Sequence, residues 1–566
     1  MKMKKISQFI SLVLCFILVS SVIVFAETEN SYNDSYLNVY DKEVLDVEDI
    51  VDEQSVLDII EVNFNTKTLS DKTVLTIGVG NEKGEIGYSN NMKSGGSGPE
   101  AFTVNKDDAI FIVDNINKRI NIYRDGKFIY DIDTPYVSYV RSIVVSQDMI
   151  YLMDYDMGMI YILDIKGSLI KSITLPDDMS YLYMLRLYVK DDGSVWLYYD
   201  SNDGKGTVYS YLVNELNSNR RSYSKGFSVN AKTYNVNRKN AKSATITSSI
   251  NIEVTTTELL GQLRILGIDK DNSLFIDVYE QTDTSIVAGE YTVKKYSDDK
   301  CISIAVIDLD KYYFMPNNVI QISDEGDLYQ MLCLANEVQI IKKNFIAVDD
   351  FKSNIIEIKR KALEVDNVNL YNDSITRNII NAPNNRSTAL TVASGMATLT
   401  WTYNSRNAVN PSPTTVTIPS YLANASKPSS QTGIPYCWGG NNNSTSFTNA
   451  MNGNTFAGNI NATGGHKAGT AGVDCSGYVG LAAGFTTKLG TTHLATNNYT
   501  FPVDPSARTQ MDIYVQSGSH VMFYNNPYSE GIITWESTTT GTQKAKAFSR
   551  TTAALNGYTL KRFHGW

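Results

Sequence analysis

Three residues near the C-terminus have the types and spacing of a covalent catalytic site: Cys475, His520 and Glu536. Asp474 is a favoured N-cap residue and small residues follow Cys475, so the sequence predicts a helix that begins at Cys475. A cysteine in the first turn of a helix lies where the helix dipole favours its thiolate. His520 begins an alternating, strand-like segment, and a thiolate beside a histidine is the minimal activated nucleophile.

Glu536 lies near the end of a second strand-like segment, one hairpin after His520. A carboxylate that accepts a hydrogen bond from an imidazole fixes the tautomer of the ring and favours its protonated form. We therefore predict that Cys475 is the nucleophile, His520 the general base and Glu536 the orienting group. All four histidines of the chain lie between Ala389 and Trp566, together with four of its five tryptophans.

Three short blocks of this region resemble, in order and separation, the signature of the NlpC-type papain-like cell-wall cysteine peptidases. The blocks are Tyr436-Cys-Trp-Gly-Gly440, Asp474-Cys-Ser-Gly-Tyr478 and Gly518-Ser-His-Val521, and the closing Tyr558-Thr-Leu-Lys-Arg562 is similar to the final strand of that family. The resemblance implies a papain-like α+β domain that hydrolyses peptidoglycan stem peptides. The usual bond in the family joins D-glutamate, through its side chain, to the third-position diamino acid.

The resemblance also implies roles for residues around the nucleophile. Cys475 matches the family nucleophile. Tyr436 and Trp438, from the first block, are expected to line the substrate cleft. Asp474 and Ser476 match the pair that in many members holds the free amine of the first L-alanine. The resemblance implies no metal ion and no cofactor.

This sequence departs from the family pattern in three places. The stretch 441–471, between the first two blocks, is longer than in compact members, which leaves substrate specificity open. Glu536 stands where His, Asn or Gln is more usual, which leaves the tuning of the base open. Met511-Asp512 stands where the pattern has Gly-Asp. All three departures keep the nucleophile and the base.

The residues before this region show internal repeats that predict a β-propeller. A short hydrophobic pattern recurs in Asp108–Asp114, Asp148–Asp154, Gly193–Asp200 and Asn272–Asp277. The first steps are 40 and 45 residues, and the third, at 79, is close to two such steps. A period of this size with several short strands per unit is typical of propeller blades. Six blades fit the length best, with five or seven left open, and Gly98-Pro-Glu-Ala-Phe102 loosely resembles the start of an NHL-type repeat.

Composition and the N-terminus indicate a multidomain, exported, acidic protein. The chain has 566 residues, 42% of them hydrophobic, and a formal net charge of −10. These values exclude a mostly disordered chain and argue against nucleic acid as a partner. Three lysines, then an apolar run that ends at Ala26, are typical of a cleaved signal peptide, with an uncleaved anchor as the alternative. Five cysteines are too few for a disulfide-dense scaffold, and a bridge between Cys301 and Cys333 stays open.

We therefore predict an all-β propeller of about six blades followed by an α+β papain-like cysteine peptidase domain. The predicted segments are a signal peptide (1–26), an acidic linker (27–73), the propeller (74–364), a second linker (365–388) and the peptidase domain (389–566). The expected partner is peptidoglycan, with a further ligand or protein on the propeller left unidentified. We expect a secreted, wall-associated protein without stable membrane insertion once the signal is cleaved.

Two alternatives remain at this stage. An amidase or acyl transferase would use the same Cys475–His520 pair. A non-catalytic protein would use the propeller to bind wall polymer or a partner, and an intact pair of nucleophile and base argues against it.

Replacing Cys475 with serine is expected to abolish hydrolysis, because only Cys475 has both the predicted cap and the helix-start position. Cys437→Ser is expected to retain most of the activity, because the flanking Trp438 indicates a small buried side chain at 437. The rate of fragment release from purified peptidoglycan measures both. An inactive Cys437→Ser beside an active Cys475→Ser would reverse the assignment.

Overall fold

The computed structural model describes residues 71–89, 96–203, 207–229, 232–309, 312–371, 379–411, 416–423, 425–463 and 465–566. The predicted signal peptide and nearly all of the acidic linker lie outside these residues. The described residues belong to one compact unit. None of the helices in these ranges has the length and apolar character needed to cross a bilayer.

The first part of the described chain consists of short antiparallel strands. These are β1 (Lys72–Gly78), β2 (Phe102–Val104), β3 (Ile110–Asp114), β4 (Arg119–Arg124), β5 (Lys127–Asp133), β6 (Val140–Ser146), β7 (Met149–Asp154), β8 (Met159–Asp164), β9 (Leu169–Thr174), β10 (Met184–Val189), β11 (Val195–Asp200), β12 (Val208–Leu212) and β13 (Tyr223–Lys225). They continue with β14 (Phe227–Val229), β15 (Lys232–Asn240), β16 (Ser243–Thr247), β17 (Asn251–Thr255), β18 (Leu259–Ile268), β19 (Leu274–Gln281), β20 (Gly289–Ser297), β21 (Lys300–Val306), β22 (Ile320–Ile322), β23 (Leu328–Cys333), β24 (Glu337–Lys343) and β25 (Ile346–Ala347).

These strands form a closed ring of six sheets within the described residues. The sheets are β2–β5, β6–β9, β10–β13, β14–β17, β18–β21 with β25, and β22–β24 with β1. The first strands of successive sheets lie against one another, except that β14 lies against β12 and β13 of the preceding sheet. Strand β1 pairs with β24, so the start of the described chain closes the last sheet. This arrangement is a β-propeller and confirms the prediction from the repeats.

The repeated segments share a sequence pattern because they occupy the same position in each blade. The four repeats supply β3, β7, β11 and β19, the second strand of each sheet. One or two residues before each strand, a residue adopts a left-handed conformation with φ between 50° and 80°, and these are Asp108, Asp148, Gly193 and Asn272. Gly, Asn and Asp adopt positive φ at the lowest steric cost, which explains why these residue types recur there.

The second part of the chain contains the helices and a second kind of sheet. The helices are α1 (Ile355–Tyr371), α2 (Arg386–Thr398), α3 (Ser420–Ala423), α4 (Ser444–Asn452), α5 (Cys475–Ala483) and α6 (Thr491–Ala495). The strands are β26 (Thr400–Tyr403), β27 (Ser429–Thr432), β28 (Phe456–Ala457), β29 (Thr470–Ala471), β30 (Thr500–Pro502), β31 (Ile513–Gln516), β32 (His520–Tyr528), β33 (Gly531–Ser537), β34 (Ala545–Thr551) and β35 (Thr559–Phe563). Strands β30–β35 form one antiparallel sheet in the order β30-β35-β31-β32-β33-β34, and α2 and α5 pack against it.

The predicted linker 365–388 contains helical residues at both ends. Helix α1 extends to Tyr371, and α2 begins at Arg386. The side chain of Asn385 caps α2, because its oxygen accepts a hydrogen bond from the N–H of Thr388 at 2.9 Å. The polar composition that indicated a linker therefore includes a helix cap. The other domain boundaries stay predictions.

The two parts of the chain share a hydrophobic core. One cluster combines the propeller residues Phe275, Tyr279 and Tyr291 with Met522 and Tyr524 of β32. Burial of this apolar surface stabilises the contact between the two parts. The propeller is therefore a packing partner of the C-terminal sheet.

A buried ion cluster lies at the same interface. Glu530, in the turn between β32 and β33, accepts a hydrogen bond from Nη1 of Arg186 at 2.7 Å. Its other oxygen lies 3.8 Å from Nη1 of Arg264, whose Nε contacts Asp277 Oδ2 at 2.5 Å. All four side chains are at most 11% exposed. Removing one member of such a cluster leaves an uncompensated charge away from water.

Glu530→Ala is expected to destabilise the protein by about 3–5 kcal/mol, because it leaves Arg186 without its buried carboxylate partner. Glu253→Ala is the matched control, since Glu253 pairs with Lys239 and both side chains are 52% exposed. Exposed pairs of this kind contribute little to stability, because water screens their charges. Urea unfolding followed by circular dichroism measures both variants. Equal unfolding midpoints for the two would contradict the prediction.

Candidate active site

The nucleophile candidate lies at the start of a capped helix, as the sequence predicts. Asp474 has extended backbone angles, and its Oδ1 accepts a hydrogen bond from the N–H of Gly477 at 2.7 Å. Helix α5 then begins at Cys475. A Cβ atom on Gly477 would lie 2.4 Å from the carbonyl oxygen of Gly440. The glycine therefore allows the first sequence block to pack directly on the start of the helix.

Cys475 lies beside the backbone of the residues that flank His520. Its Sγ is 4.0 Å from the carbonyl oxygen of Ser519, and the N–H of Val521 also faces the sulfur. The residue is 3% exposed. Burial, with a smaller contribution from the carboxylate of Asp474, raises the pKa of the Cys475 thiol to about 12. The expected thiolate is thus not the resting form, because the cost of burying its charge exceeds the stabilisation from Lys488 and the backbone N–H groups that favour it.

His520 and Glu536 form a buried hydrogen bond. Nε2 of His520 and Oε2 of Glu536 are 2.7 Å apart, and both residues are 0% exposed. The other ring nitrogen, Nδ1, has no hydrogen-bond partner in the part of the chain that the structure describes. No described hydrogen bond joins His520 to Cys475. The predicted pairing of His520 with Glu536 is therefore present, and one ring nitrogen is left for a reacting group.

Arg550, on β34, is a residue of this site that the sequence did not indicate. Its Nε donates to Glu536 Oε1 at 2.9 Å and its Nη2 donates to Oε2 at 2.6 Å. Thr534 Oγ1 donates to Oε1 at 2.7 Å. With His520, these contacts satisfy the acceptor capacity of both carboxylate oxygens. Side chains alternate between the two faces of a strand, so the sequence could indicate which residues of β34 share a face with Arg550. Which residues of β33 they meet depends on the register of the two strands, and this follows only from the folded sheet.

The charges around Glu536 determine the tautomer of His520. Burial alone would raise the pKa of Glu536, but the guanidinium of Arg550 and the hydrogen bond with His520 hold it well below its usual range. An ionised carboxylate only accepts hydrogen bonds, so Nε2 of His520 carries the hydrogen. Burial lowers the pKa of His520; Glu536 opposes this and Arg550 adds to it. The ring is therefore neutral, and Nδ1 has the free lone pair of a base.

The aromatic residues of the first block are more enclosed than an open cleft wall would be. Tyr436 is 0% exposed, and its backbone N–H donates to the carbonyl of Gln543 at 2.9 Å. Trp438 is half-buried. Cys437 is buried, with Sγ 3.3 Å from Thr470 Oγ1. The roles of Tyr436 and Trp438 in substrate binding stay predictions.

The four described cysteines are unbridged: Cys301, Cys333, Cys437 and Cys475. Among the described residues, no group of three or more His, Cys, Asp or Glu side chains is arranged to hold a metal ion. A cavity of about 510 Å³ lies between the propeller and the C-terminal part, lined among others by Tyr139, Ile460 and Gln543. Cys475, His520 and Glu536 are not among its lining residues.

Asp474 and Ser476 contact a second residue that the sequence did not indicate. Nζ of Lys488 is 2.9 Å from Asp474 Oδ1 and 2.9 Å from Ser476 Oγ. The structure therefore brings the two predicted amine-binding residues together, and both contact the ammonium group of Lys488.

Comparisons with known proteins give no family for this chain. No protein-family model matches it, and no curated protein matches it. A solved member of the DUF4221 family from Bacteroides vulgatus is 10% identical; the match covers 50% of this chain and 99% of the other, with a TM-score of 0.32. A streptogramin B lyase is 14% identical over 46% of this chain and 97% of the other, with a TM-score of 0.27. TM-scores this low carry no argument, so the propeller is assigned from its strand topology.

Glu536→Gln and Arg550→Met are expected to move the acidic limb of the kcat/KM profile in opposite directions. Glu536 raises the pKa of His520, so its neutral variant should keep the base unprotonated to lower pH. Arg550 lowers that pKa, so its loss should move the limb to higher pH. The shift for Glu536→Gln should be about one pH unit, as expected for a charge within hydrogen-bonding distance. The shift for Arg550→Met should be smaller, because Arg550 contacts Glu536 and acts on His520 only through space.

Arg406→Met is the control for loss of a positive charge, because Arg406 is exposed. Arg550→Lys tests whether a positive charge alone keeps the acidic limb of the kcat/KM profile at its wild-type pH. Thermal unfolding monitors whether each variant folds. Shifts in the same direction for Glu536→Gln and Arg550→Met would refute the proposed charge balance.

Proposed function

We propose that this protein is a cysteine peptidase with a papain-like C-terminal domain that hydrolyses peptidoglycan stem peptides. The observation that carries the proposal is the buried, unpartnered Nδ1 of His520, oriented by Glu536 beside the capped helix that begins with Cys475. An unpaired basic nitrogen away from water is costly, which is expected where it serves a reaction. The sequence blocks that resemble the NlpC-type peptidases support the choice of substrate.

In the first step, His520 acts as general base for a neutral thiol. The Sγ–H proton of Cys475 moves to Nδ1 of His520 while Sγ forms a bond to the carbonyl carbon of the substrate amide. The resulting imidazolium keeps its Nε2–H on Glu536, which remains ionised. This order of events suits a thiol whose pKa burial has raised, because the thiolate forms only as the attack proceeds.

In the second step, the tetrahedral intermediate, which carries an oxyanion, collapses. The backbone N–H of Cys475, at the helix start, is the proposed donor to that oxyanion. The carbon–nitrogen bond breaks, the leaving amine takes the proton from Nδ1, and a thioester on Cys475 remains. A water molecule then gives one proton to Nδ1 of His520 and attacks the thioester carbonyl. The carbon–sulfur bond breaks, the carboxylic acid product leaves, and the proton returns from Nδ1 to Sγ of Cys475.

The signal-like N-terminus supports export to the cell wall. The propeller would contribute a wall or partner contact and a packing surface for the catalytic sheet. An amidase or acyl transferase with the same residues differs in the bond attacked or in the acyl acceptor, so product masses separate these possibilities.

The test is digestion of purified peptidoglycan by the full-length protein, with Cys475→Ala and His520→Ala as inactive controls. We expect wild-type protein to release soluble fragments whose masses fit cleavage within the stem peptide. Both variants should be reduced at least about 1,000-fold, as for loss of a nucleophile or its base. Fragments of equal yield from all three proteins, or none from wild type, would refute the proposal.

A further inference from the structure

Lys488 lies in the connection between α5 and α6 and covers the two residues on either side of the nucleophile. Its ammonium contacts Asp474 Oδ1 and Ser476 Oγ, each at 2.9 Å. The side chain of Lys488 is 28% exposed, whereas that of Asp474 is 7% exposed. The ammonium therefore reaches the carboxylate from the solvent side.

The other contacts of Asp474 are with the first turn of α5 and with the first sequence block. Oδ1 accepts from the N–H of Gly477 at 2.7 Å, and Oδ2 accepts from the N–H of Gly439 at 3.0 Å. Ser476 Oγ lies 3.2 Å from Oδ1. These groups keep the carboxylate in place whether or not Lys488 is present. Lys488 differs from them, because it is the tip of a flexible chain of four methylene groups.

The site on which Lys488 rests is an ammonium site by its chemistry. An ionised carboxylate and a hydroxyl oxygen, both nearly buried, converge on one nitrogen. A second ammonium at the same place would face a like charge within contact distance, which disfavours its binding. A substrate with a cationic amino end beside Cys475 would therefore have to displace Lys488.

We infer that Lys488 is a specificity-determining residue that fills this ammonium site and makes the enzyme select stem peptides whose amino end is blocked by an amide bond. Such peptides are still joined to the glycan strand, in contrast to released peptides with a free amine. This inference rests on the proposed peptidase function. A tethered ammonium competes at an effective concentration in the millimolar range, so a free amine at lower concentration is excluded.

Two synthetic peptides with the sequence L-alanyl-γ-D-glutamyl-diamino acid test the inference, one with a free amino end and one N-acetylated. The full-length wild type is expected to cleave the acetylated peptide with a kcat/KM at least tenfold higher. Lys488→Met is expected to raise the ratio of free-amine to acetylated kcat/KM at least tenfold, mainly through KM. Lys427→Met, which removes an exposed lysine of the same part of the chain, should keep the wild-type ratio.

A binding measurement makes the test independent of catalysis. In calorimetry, L-alaninamide should bind Lys488→Met at least tenfold more tightly than it binds the wild type. N-acetyl-L-alaninamide, which has no ammonium group, should bind the variant no more tightly than the wild type. Two outcomes would overturn the role of Lys488 and leave the peptidase proposal intact. One is that the wild type cleaves both peptides equally well. The other is that Lys488→Met lowers both rates together, so that the ratio of free-amine to acetylated kcat/KM stays unchanged. Absence of cleavage of wall and both peptides by every variant overturns the peptidase proposal, and calorimetry then decides the ammonium site separately.

Discussion

The buried carboxylate of Glu536 is the constraint on which the rest of the site depends. It is fully enclosed, remains ionised, and accepts from His520, Arg550 and Thr534. A buried charge without these donors would cost several kcal/mol, so the three donors must be held in place together. The same contacts leave His520 with one tautomer and one free nitrogen. The orientation of the base is thus a consequence of satisfying a charge inside the protein.

The propeller takes part in this arrangement through β34. Ser549 and Thr551, the neighbours of Arg550, form hydrogen bonds with the propeller. Ser549 contacts Arg141 and Tyr155, and Thr551 contacts Asn317. The strand that presents Arg550 to Glu536 is therefore fixed from its other side by the propeller blades. The shared hydrophobic core and the buried ion cluster are further contacts between the two parts. The propeller supports the sheet of the candidate site in addition to any ligand that it binds itself.

Burial and charge have opposite effects on the thiol of Cys475, the proposed nucleophile. The first-turn position and Lys488 favour the thiolate of Cys475, whereas enclosure and Asp474 disfavour it, and enclosure is the larger effect. With a neutral thiol and a neutral imidazole, the proposed reaction requires proton transfer during the attack. The cap residue Asp474 therefore has two physical effects: it begins the helix, and it brings a negative charge that Lys488 balances.

The sequence by itself determined the propeller, the capped helix at Cys475, and the strand positions of His520 and Glu536. These follow from local rules: blade period, turn residues with positive φ, N-cap preference and alternation. Only the tertiary structure decided that Arg550 and Lys488 complete the site. Arg550 reaches Glu536 through the register of two strands, and Lys488 reaches Asp474 through the path of a loop. Neither has a sequence signature, because long cationic side chains are usually solvated and their partners depend on distances between elements. The protonation states also followed only from the fold, since burial is the largest effect on the pKa of Cys475 and of His520, and a sequence pattern does not measure burial.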